Sequence, residues 1–158
     1  MQHDSERSGR PITILMADDD EDDRDLTRDA LESASYIDHM RFVVDGQDLI
    51  DYLRRAGRYA SPEAAEHPLP SIILLDLNMP RMDGREALAV IKTDRRLRHI
   101  PVVVLTTSRD EQDVRRAYDL GANSYITKPV TGSKLEIVLD RLGEYWSQIV
   151  TLPDPAYG

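Results

Sequence analysis

Short apolar runs alternate with amphipathic segments along this chain. Four mainly apolar runs are too short for helices and predict strands; they are Ile12 to Ala17, Met40 to Val44, Ile72 to Leu75 and Val102 to Leu105. Ser124 to Thr127 predicts a short fifth strand. After each run, apolar residues recur at helical spacing; examples are Leu26, Ala30 and Leu31, then Leu49, Ile50 and Leu53, then Ala87, Leu88 and Ile91, then Val114, Ala117 and Tyr118, and finally Leu135, Val138, Leu139 and Leu142. Each of these groups predicts a helix with its apolar face turned inward.

The order of these elements indicates the fold class. Strand and helix alternate five times, and this pattern is typical of a parallel sheet covered by helices on both faces. We therefore predict a doubly wound α/β domain over residues 11–149. The polar residues 1–10 are expected to form a flexible N-terminus, and residues 150–158 a C-terminal tail.

One connection in the chain is unusually long. Residues 57–70 contain Gly57 and three prolines, Pro62, Pro68 and Pro70, and show no apolar periodicity. Glycine and proline in such a segment interrupt helices and strands. The segment is therefore predicted to be a long exposed loop.

Polar residues follow the predicted strands at their carboxyl ends. Three aspartates, Asp18 to Asp20, follow the first strand, Asp76 follows the third, Thr106 the fourth and Lys128 the fifth. In open parallel sheets these ends meet at one edge, where ligands bind. Clustered carboxylates raise one another's pKa unless a cation lies among them, and hard oxygen ligands without His or Cys suit magnesium. The strand ends predict a site for a divalent metal.

Each of these residues also has a purely structural interpretation. Acids at a helix N-terminus are favoured by capping and by the helix dipole, and this is the preferred interpretation of Asp20 to Asp23, with Asp20 as the cap. Three consecutive aspartates leave the acid pair ambiguous by one residue; Asp18 and Asp19 are chosen because the apolar strand ends at Ala17. Thr106 as a β-branched strand end and Lys128 as a surface lysine remain open alternatives.

Composition removes several function classes. The net charge of -9 argues against a nucleic-acid-binding protein, because phosphate neutralisation requires a basic face. The absence of cysteine excludes disulfides and thiolate nucleophiles. No apolar run approaches the ~18 residues of a membrane span, so the protein is expected to be soluble and cytoplasmic. The four histidines lack metal-ligand spacing, and no nucleophile elbow or phosphate-binding glycine loop is present.

Four motifs together resemble the receiver domain of two-component response regulators. They occur in the expected order over about residues 11–148, and they are Ile14-Leu-Met-Ala-Asp-Asp19, Ile73-Leu-Leu-Asp-Leu-Asn-Met-Pro-Arg-Met-Asp-Gly84, Val104-Leu-Thr-Thr-Ser108 and Gly121-Ala-Asn-Ser-Tyr-Ile-Thr-Lys-Pro129. The resemblance implies a flavodoxin-like (βα)5 sandwich with a five-stranded parallel sheet. One departure is Val130, where the family often has phenylalanine.

The resemblance also implies a role for each site residue. Asp76 would accept a phosphoryl group from a histidine kinase, and Mg²⁺ would be the cofactor. The implied metal ligands are Asp18, Asp19, Asp76 and the backbone carbonyl of Asn78. Lys128 would pair with the phosphoryl group, and Thr106 and Tyr125 would form the switch. Asn78 and Ser108 would tune the lifetime of the phosphoryl group.

Features outside these motifs are similar to those of the stand-alone regulators paired with bacterial and cyanobacterial phytochrome kinases. These features are the segment 57–70 and a fifth helix extended to about Ile149. We expect no output domain after this helix, so the signal is expected to pass through protein contacts. Four apolar residues, Tyr145, Trp146, Ile149 and Leu152, extend beyond what the sheet can cover, and such an exposed patch predicts a partner surface. A homodimer through helix five and the tail is predicted. The alternative function is a receiver-like interaction module that acts without phosphorylation.

Overall fold

The computed structural model describes residues 12–32, 34–62, 69–128 and 132–153. Five strands form one sheet, and a helix follows each strand in the chain. The strands are β1 (Ile12–Ala17), β2 (Ile37–Val43), β3 (Ile72–Leu75), β4 (Val102–Thr106) and β5 (Ser124–Thr127). The helices are α1 (Glu21–Leu31), α2 (Gly46–Arg54), α3 (Gly84–Thr93), α4 (Glu111–Asp119) and α5 (Gly132–Glu144). The predicted elements are all present, with boundaries shifted by a few residues.

The sheet is entirely parallel, with the strand order β2-β1-β3-β4-β5. The central strand β3 pairs with β1 and β4, and all four of its residues are buried. Alternate residues point to opposite faces, so Ile73 and Leu75 join one apolar core while Ile72 and Leu74 join the other. This arrangement is the doubly wound flavodoxin-like fold that the sequence predicts.

An aspartate caps each of the helices α1 to α4. These caps are Asp20, Asp45, Asp83 and Asp110, and the side chain of each accepts a hydrogen bond from a backbone N–H in the first turn. Asp83 also forms a capping box with Glu86. Because every helix begins close to the carboxyl end of the preceding strand, these caps place acidic side chains along the same edge as the predicted site.

Helix α1 buries only part of the face that the sequence indicates. Leu26 was predicted to face inward but is 38% exposed, whereas Thr27 and Ala30 are buried. The Thr27 hydroxyl donates to the Asp23 carbonyl at 2.8 Å, so its polar atom is satisfied within the helix. Periodicity therefore located the helix and the burial of Ala30 correctly, but Thr27 rather than Leu26 is buried one turn earlier.

The segment 57–70 is not simply an exposed loop. Gly57–Tyr59 form a short 3-10 helix, and the side chains of Arg58 and Tyr59 both bond to the buried carboxylate of Asp48. Residues 63–68 lie outside the described residues. The first part of this connection is therefore attached to the domain.

The fifth helix continues beyond α5 as a π-helical segment, Tyr145–Ile149. Two residues of the predicted apolar patch are not free, because Trp146 and Leu152 pack against the core formed by β1, β3 and β4. Tyr145 and Ile149 are 46% and 67% exposed. The patch is thus smaller than the sequence indicates, although Ile137 on α5 is exposed as well.

Within the part of the chain that the structure describes, none of the helices is both long and apolar enough to cross a membrane. The predicted N-terminal segment 1–10 and most of the predicted tail, residues 154–158, lie outside the described residues.

Candidate functional site

Two acids follow β1 and face the end of β3. The backbone N–H of Asp18 bonds to the carbonyl of Val43 in β2, which extends the sheet by one residue past Ala17. The side chain of Asp18 is fully buried, whereas Asp19 is exposed. Asp20 turns away to cap α1. The structure therefore brings Asp18 and Asp19, and not Asp20, towards Asp76.

Asp76 follows β3 and is held by backbone contacts on both sides. Its N–H donates to the Ala17 carbonyl at 3.0 Å, and its Oδ1 accepts from the N–H of Asn78 at 3.1 Å. The Asp76 side chain is 12% exposed, so one end of the carboxylate remains accessible. Asn78 is exposed, and it contacts Asp76 through this backbone N–H.

Lys128 lies between the acids. Its ammonium is 2.6 Å from Asp18 Oδ2, 2.8 Å from Asp23 Oδ2 and 3.5 Å from Asp76 Oδ2. The backbone N–H of Lys128 donates to the Thr106 carbonyl at 2.7 Å, which fixes the start of the side chain beside β4. Sequence reasoning had interpreted Asp23 only as a first-turn acid of α1. Asp23 lies in the first turn of a helix that begins beside Asp18, but its local sequence gives no signal for a contact with a residue 105 positions away.

The charges of this cluster follow from burial and pairing. Burial alone would lower the pKa of Lys128, but the hydrogen bonds to Asp18 and Asp23 and the charge of Asp76 raise it above the ordinary value. Burial raises the pKa of Asp18, and the hydrogen bonds from Lys128 and from the Asp20 N–H oppose this effect. We therefore assign a positive charge to Lys128 at neutral pH.

Three carboxylates form a group with metal-binding dimensions. Asp18, Asp19 and Asp76 each offer one oxygen, and these oxygens lie within 4.8 Å of one another. They are hard ligands, and they are grouped at one edge without any sulfur donor. The donor set fits a divalent cation that retains several waters. Lys128 bonds directly to Asp18, one of these three carboxylates.

Thr106 is the last residue of β4 and is fully buried. Among the described residues, none offers its Oγ1 a hydrogen bond. A buried hydroxyl without a partner costs free energy, so this atom is poised for an acceptor. Its neighbour across the ladder is Thr127, and the Thr106 carbonyl already accepts from Lys128.

Tyr125 is hydrogen-bonded to the loop that follows β4 and begins at Thr106. The Tyr125 hydroxyl donates to the Ser108 carbonyl at 2.9 Å. The Ser108 hydroxyl donates to Asp113 at 2.6 Å, and Asp113 pairs with Arg85 at 2.9 Å. Tyr125 is half-buried on β5, where it packs against the core. The structure thus brings all the predicted site residues to one edge, with Tyr125 linked to it through the loop that begins at Thr106.

Comparison with known proteins gives a consistent result. The family model of the response regulator receiver domain matches residues 14–140. Response regulator Rcp1 of Synechocystis sp. is 39% identical over 150 residues, which cover 94% of this chain and 98% of that protein.

Two solved structures are also similar to this one. The phosphorylated cyanobacterial phytochrome response regulator RcpA has a TM-score of 0.80 at 40% identity, covering 90% of this chain and 99% of RcpA. The Mn²⁺-bound form of Rcp1 has a TM-score of 0.77 at 40% identity, covering 91% of this chain and all of that one. By its matching motifs, its fold and these relatives, the chain belongs to the response regulator receiver domain family.

Proposed function

We propose that this protein is a response regulator of a two-component phosphorelay, which accepts a phosphoryl group on Asp76 from a histidine kinase. The observation that carries the proposal is the position of Lys128, whose ammonium contacts Asp18 and approaches Asp76 at the carboxyl edge of the sheet. A fixed cation beside an accessible carboxylate is what phosphoryl transfer requires, since the site must position the groups and neutralise their charge.

The chemistry assigned to Asp76 is nucleophilic. One carboxylate oxygen forms a bond to phosphorus while the phosphorus–nitrogen bond of phosphohistidine breaks, and the electron pair of that bond leaves with the imidazole. Lys128, 3.5 Å from Asp76, offsets the negative charge of the incoming phosphoryl oxygens. The protein is thus a phosphoacceptor that assists its own phosphorylation and dephosphorylation rather than an enzyme acting on other substrates.

We assign Mg²⁺ as the cofactor, held by Asp18, Asp19, Asp76 and the backbone carbonyl of Asn78. The grouping of the three carboxylates within 4.8 Å supports this assignment. The similarity to Rcp1, whose structure contains Mn²⁺, supports a divalent ion in general. When bound, the ion would supply positive charge to the phosphoryl oxygens.

Thr106 and Tyr125 are assigned to the switch. Phosphorylation adds a charge of about -1.5 to -2 and three acceptor oxygens. The unpartnered hydroxyl of Thr106 could then donate to one of these oxygens, which would move the loop that begins at Thr106. Since Tyr125 bonds to that loop at Ser108, the change would reach the surface of β5.

The kinase partner is proposed to be phytochrome-like. The support is the similarity over nearly the whole chain to Rcp1 and to the cyanobacterial phytochrome response regulator RcpA. Output is proposed to occur through protein contacts, including a homodimer through α5 and the C-terminal region. The exposure of Ile137, Tyr145 and Ile149 supports such a contact.

The alternative is a receiver-like interaction module that acts without phosphorylation. The burial of Lys128 and Asp18 disfavours it. Moving two charged side chains out of water costs several kcal/mol for each ion, and apolar residues in their place are often as stabilising or more so. Retention of this charged cluster beside Asp76 is better explained by chemistry at that residue.

Phosphorylation with a small donor tests the proposal. We expect that incubation with acetyl phosphate and Mg²⁺ adds one phosphoryl group to the chain, as measured by intact mass. The addition should be absent in Asp76→Asn and in the presence of a chelator. As a matched control, Asp94→Asn replaces an acid that pairs with Arg54 on the surface, and it should be phosphorylated like the wild type. No mass gain with any donor would favour the interaction module.

A further inference from the structure

The loop between β3 and α3 is attached to the turn between β2 and α2. This loop, residues 77–83, carries Asn78 and connects Asp76 to α3. Arg81, in the middle of the loop, donates from Nε to Asp45 Oδ2 at 2.8 Å and from Nη2 to Asp45 Oδ1 at 3.1 Å. This is a bidentate pair, the most directional contact that arginine forms with a carboxylate.

Asp45 is well suited to hold the loop because it is itself fixed. Its side chain is only 7% exposed, and it caps α2 by accepting from the Asp48 N–H at 2.7 Å. Burial alone would raise the pKa of Asp45, but the hydrogen bonds from Arg81 and from the Asp48 N–H lower it below its ordinary value. Asp45 is therefore a charged, immobile partner for Arg81.

The backbone of Arg81 adopts an unfavourable conformation. Its φ of 63° lies in the left-handed region, which glycine adopts readily but which costs other residues about 1–2 kcal/mol. A glycine at this position would remove the strain. The pair with Asp45 is one contact that offsets this cost and helps to keep the loop in the observed conformation.

A second contact joins the same two segments. The Gly46 N–H donates to the Met82 carbonyl at 2.9 Å. A Cβ at Gly46 would overlap that carbonyl, so only glycine permits the backbones to approach so closely. The loop is thus held by a side-chain pair at Arg81 and by a backbone bond at the next residue.

The turn that carries Asp45 is anchored from its other side. Asp48, also buried, accepts from the Val44 N–H at 3.1 Å, from Arg58 Nη2 at 2.9 Å and from the Tyr59 hydroxyl at 2.9 Å. These bonds link the turn to the 3-10 helix that follows α2. Arg81 therefore pairs with a carboxylate on a rigid support.

We propose that Arg81 is a positioning residue for the metal site and that it acts through Asp45. By holding the loop at one point, three residues after Asn78, the pair fixes the backbone carbonyl of Asn78 relative to the carboxylate of Asp76. This inference rests on the proposed function, in which both groups are metal ligands. Without the pair the loop samples other conformations, and the apparent metal affinity falls in proportion to the population of the competent one.

The test is a calorimetric titration of the full chain with Mg²⁺. We expect Arg81→Gln and Asp45→Asn each to weaken Mg²⁺ binding about tenfold, the lower end of the effect usual for residues that support metal ligands. The double variant should bind about as well as either single variant, because the two residues act as one unit. Arg81→Lys, which keeps the charge but not the bidentate geometry, should lie between Arg81→Gln and the wild type.

A matched control and a second measurement separate positioning from stability. Arg54→Gln removes another arginine–aspartate pair, the 3.3 Å contact of Arg54 with Asp94 between α2 and the end of α3, and should leave Mg²⁺ affinity unchanged. Arg81→Gly removes the pair and the backbone strain together. Arg81→Gly should bind Mg²⁺ more weakly than the wild type, even if the two proteins have the same melting temperature in the absence of metal.

Three results would overturn the inference. In the first, Arg81→Gln and Arg81→Gly bind Mg²⁺ as tightly as the wild type and differ from it only in melting temperature. Arg81 would then have a structural role alone. Another is an equal loss of affinity in Arg54→Gln. The third is a wild-type chain that binds no Mg²⁺ and gains no phosphoryl group, and this result would also overturn the proposed function. If the wild type binds Mg²⁺ and is phosphorylated, failure of the variants to weaken binding would reject the inference alone.

Discussion

Thr106 and Thr27 form a natural pair for measuring what a buried hydroxyl contributes. Both side chains are almost completely buried, at 0% and 1% exposure. The Thr27 hydroxyl donates to the Asp23 carbonyl, whereas the Thr106 hydroxyl has no hydrogen-bond partner among the described residues. The two threonines therefore differ in hydrogen bonding more than in burial.

This difference predicts opposite effects of the same substitution. Thr106→Val should stabilise the unphosphorylated protein by about 1 kcal/mol, because it removes an unsatisfied polar atom, and Thr27→Val should destabilise it by a similar amount. Urea unfolding measures both changes. Destabilisation of the unphosphorylated protein by Thr106→Val would contradict the prediction.

The same variant tests the role proposed for Thr106 in the switch. If its hydroxyl bonds to the phosphoryl group, Thr106→Val should still be phosphorylated on Asp76 but should lose the response of β5. Hydrogen exchange of β5 with and without acetyl phosphate measures that response. Unchanged exchange differences in Thr106→Val would remove Thr106 from the switch.

The junction of β3 with α3 depends on one glycine. Gly84 begins α3, and its N–H donates to the Leu77 carbonyl at 2.9 Å. A Cβ at Gly84 would overlap the carbonyl oxygen of Asp76, and this oxygen belongs to backbone that cannot rotate away. The close approach of helix to strand, rather than an unusual backbone angle, requires glycine here.

Gly84→Ala is accordingly expected to cost about 3 kcal/mol, the upper part of the usual range for overpacking. Gly57→Ala provides the control. Gly57 has a φ of 57°, and its added Cβ would lie 3.1 Å from the side-chain carboxylate of Asp51, which can shift. Gly57→Ala should therefore lower the free energy of unfolding by only about 1 kcal/mol, the cost of the left-handed backbone. Denaturant unfolding of both variants tests the difference, and equal costs would show that the overlap at Gly84 is relieved by movement of α3.

Helix α1 shows how an element can be predicted correctly but oriented differently. Its cap at Asp20 and the burial of Ala30 agree with the sequence, while Leu26 is 38% exposed and Thr27 is buried. The buried face of a short helix depends on the strands and helices beneath it. In α1 the contacts with α5 and β2 decide the rotation, and the local apolar spacing does not.

The assembly of the molecule is predicted to depend on the end of helix five. Tyr145 and Ile149 are exposed there. The ring of Trp146, which packs against the core, lies 5.1 Å from that of Tyr145 in an edge-to-face arrangement. We expect sedimentation velocity to show a concentration-dependent dimer for the wild type and a monomer for Ile149→Asp. Tyr118→Asp, at a residue on α4 that is 49% exposed, serves as the control and should dimerise normally. A monomer at all concentrations, for the phosphorylated and unphosphorylated wild type alike, would rule out the dimer.

The order of strands and helices, the fold class and the set of residues at the carboxyl edge could all be predicted without the structure. The reason is local. Runs such as Ile72 to Leu75 are apolar because both faces of β3 are buried, and the chain must become polar where a strand leaves the core. The parallel topology then requires the strand ends to meet, so Asp18, Asp76, Thr106 and Lys128 are neighbours by construction.

Contacts between side chains distant in sequence required the tertiary structure. Asp23 and Lys128 are 105 residues apart, and Arg81 and Asp45 are 36 apart. Neither pair has a local signature, because its formation depends on the rotation of α1 and on the left-handed backbone of Arg81. Packing of Trp146 and Leu152 against the core likewise depends on the path of the chain after α5. Local patterns specify which residues leave the core, whereas the directions of their side chains are decided by how the elements pack together.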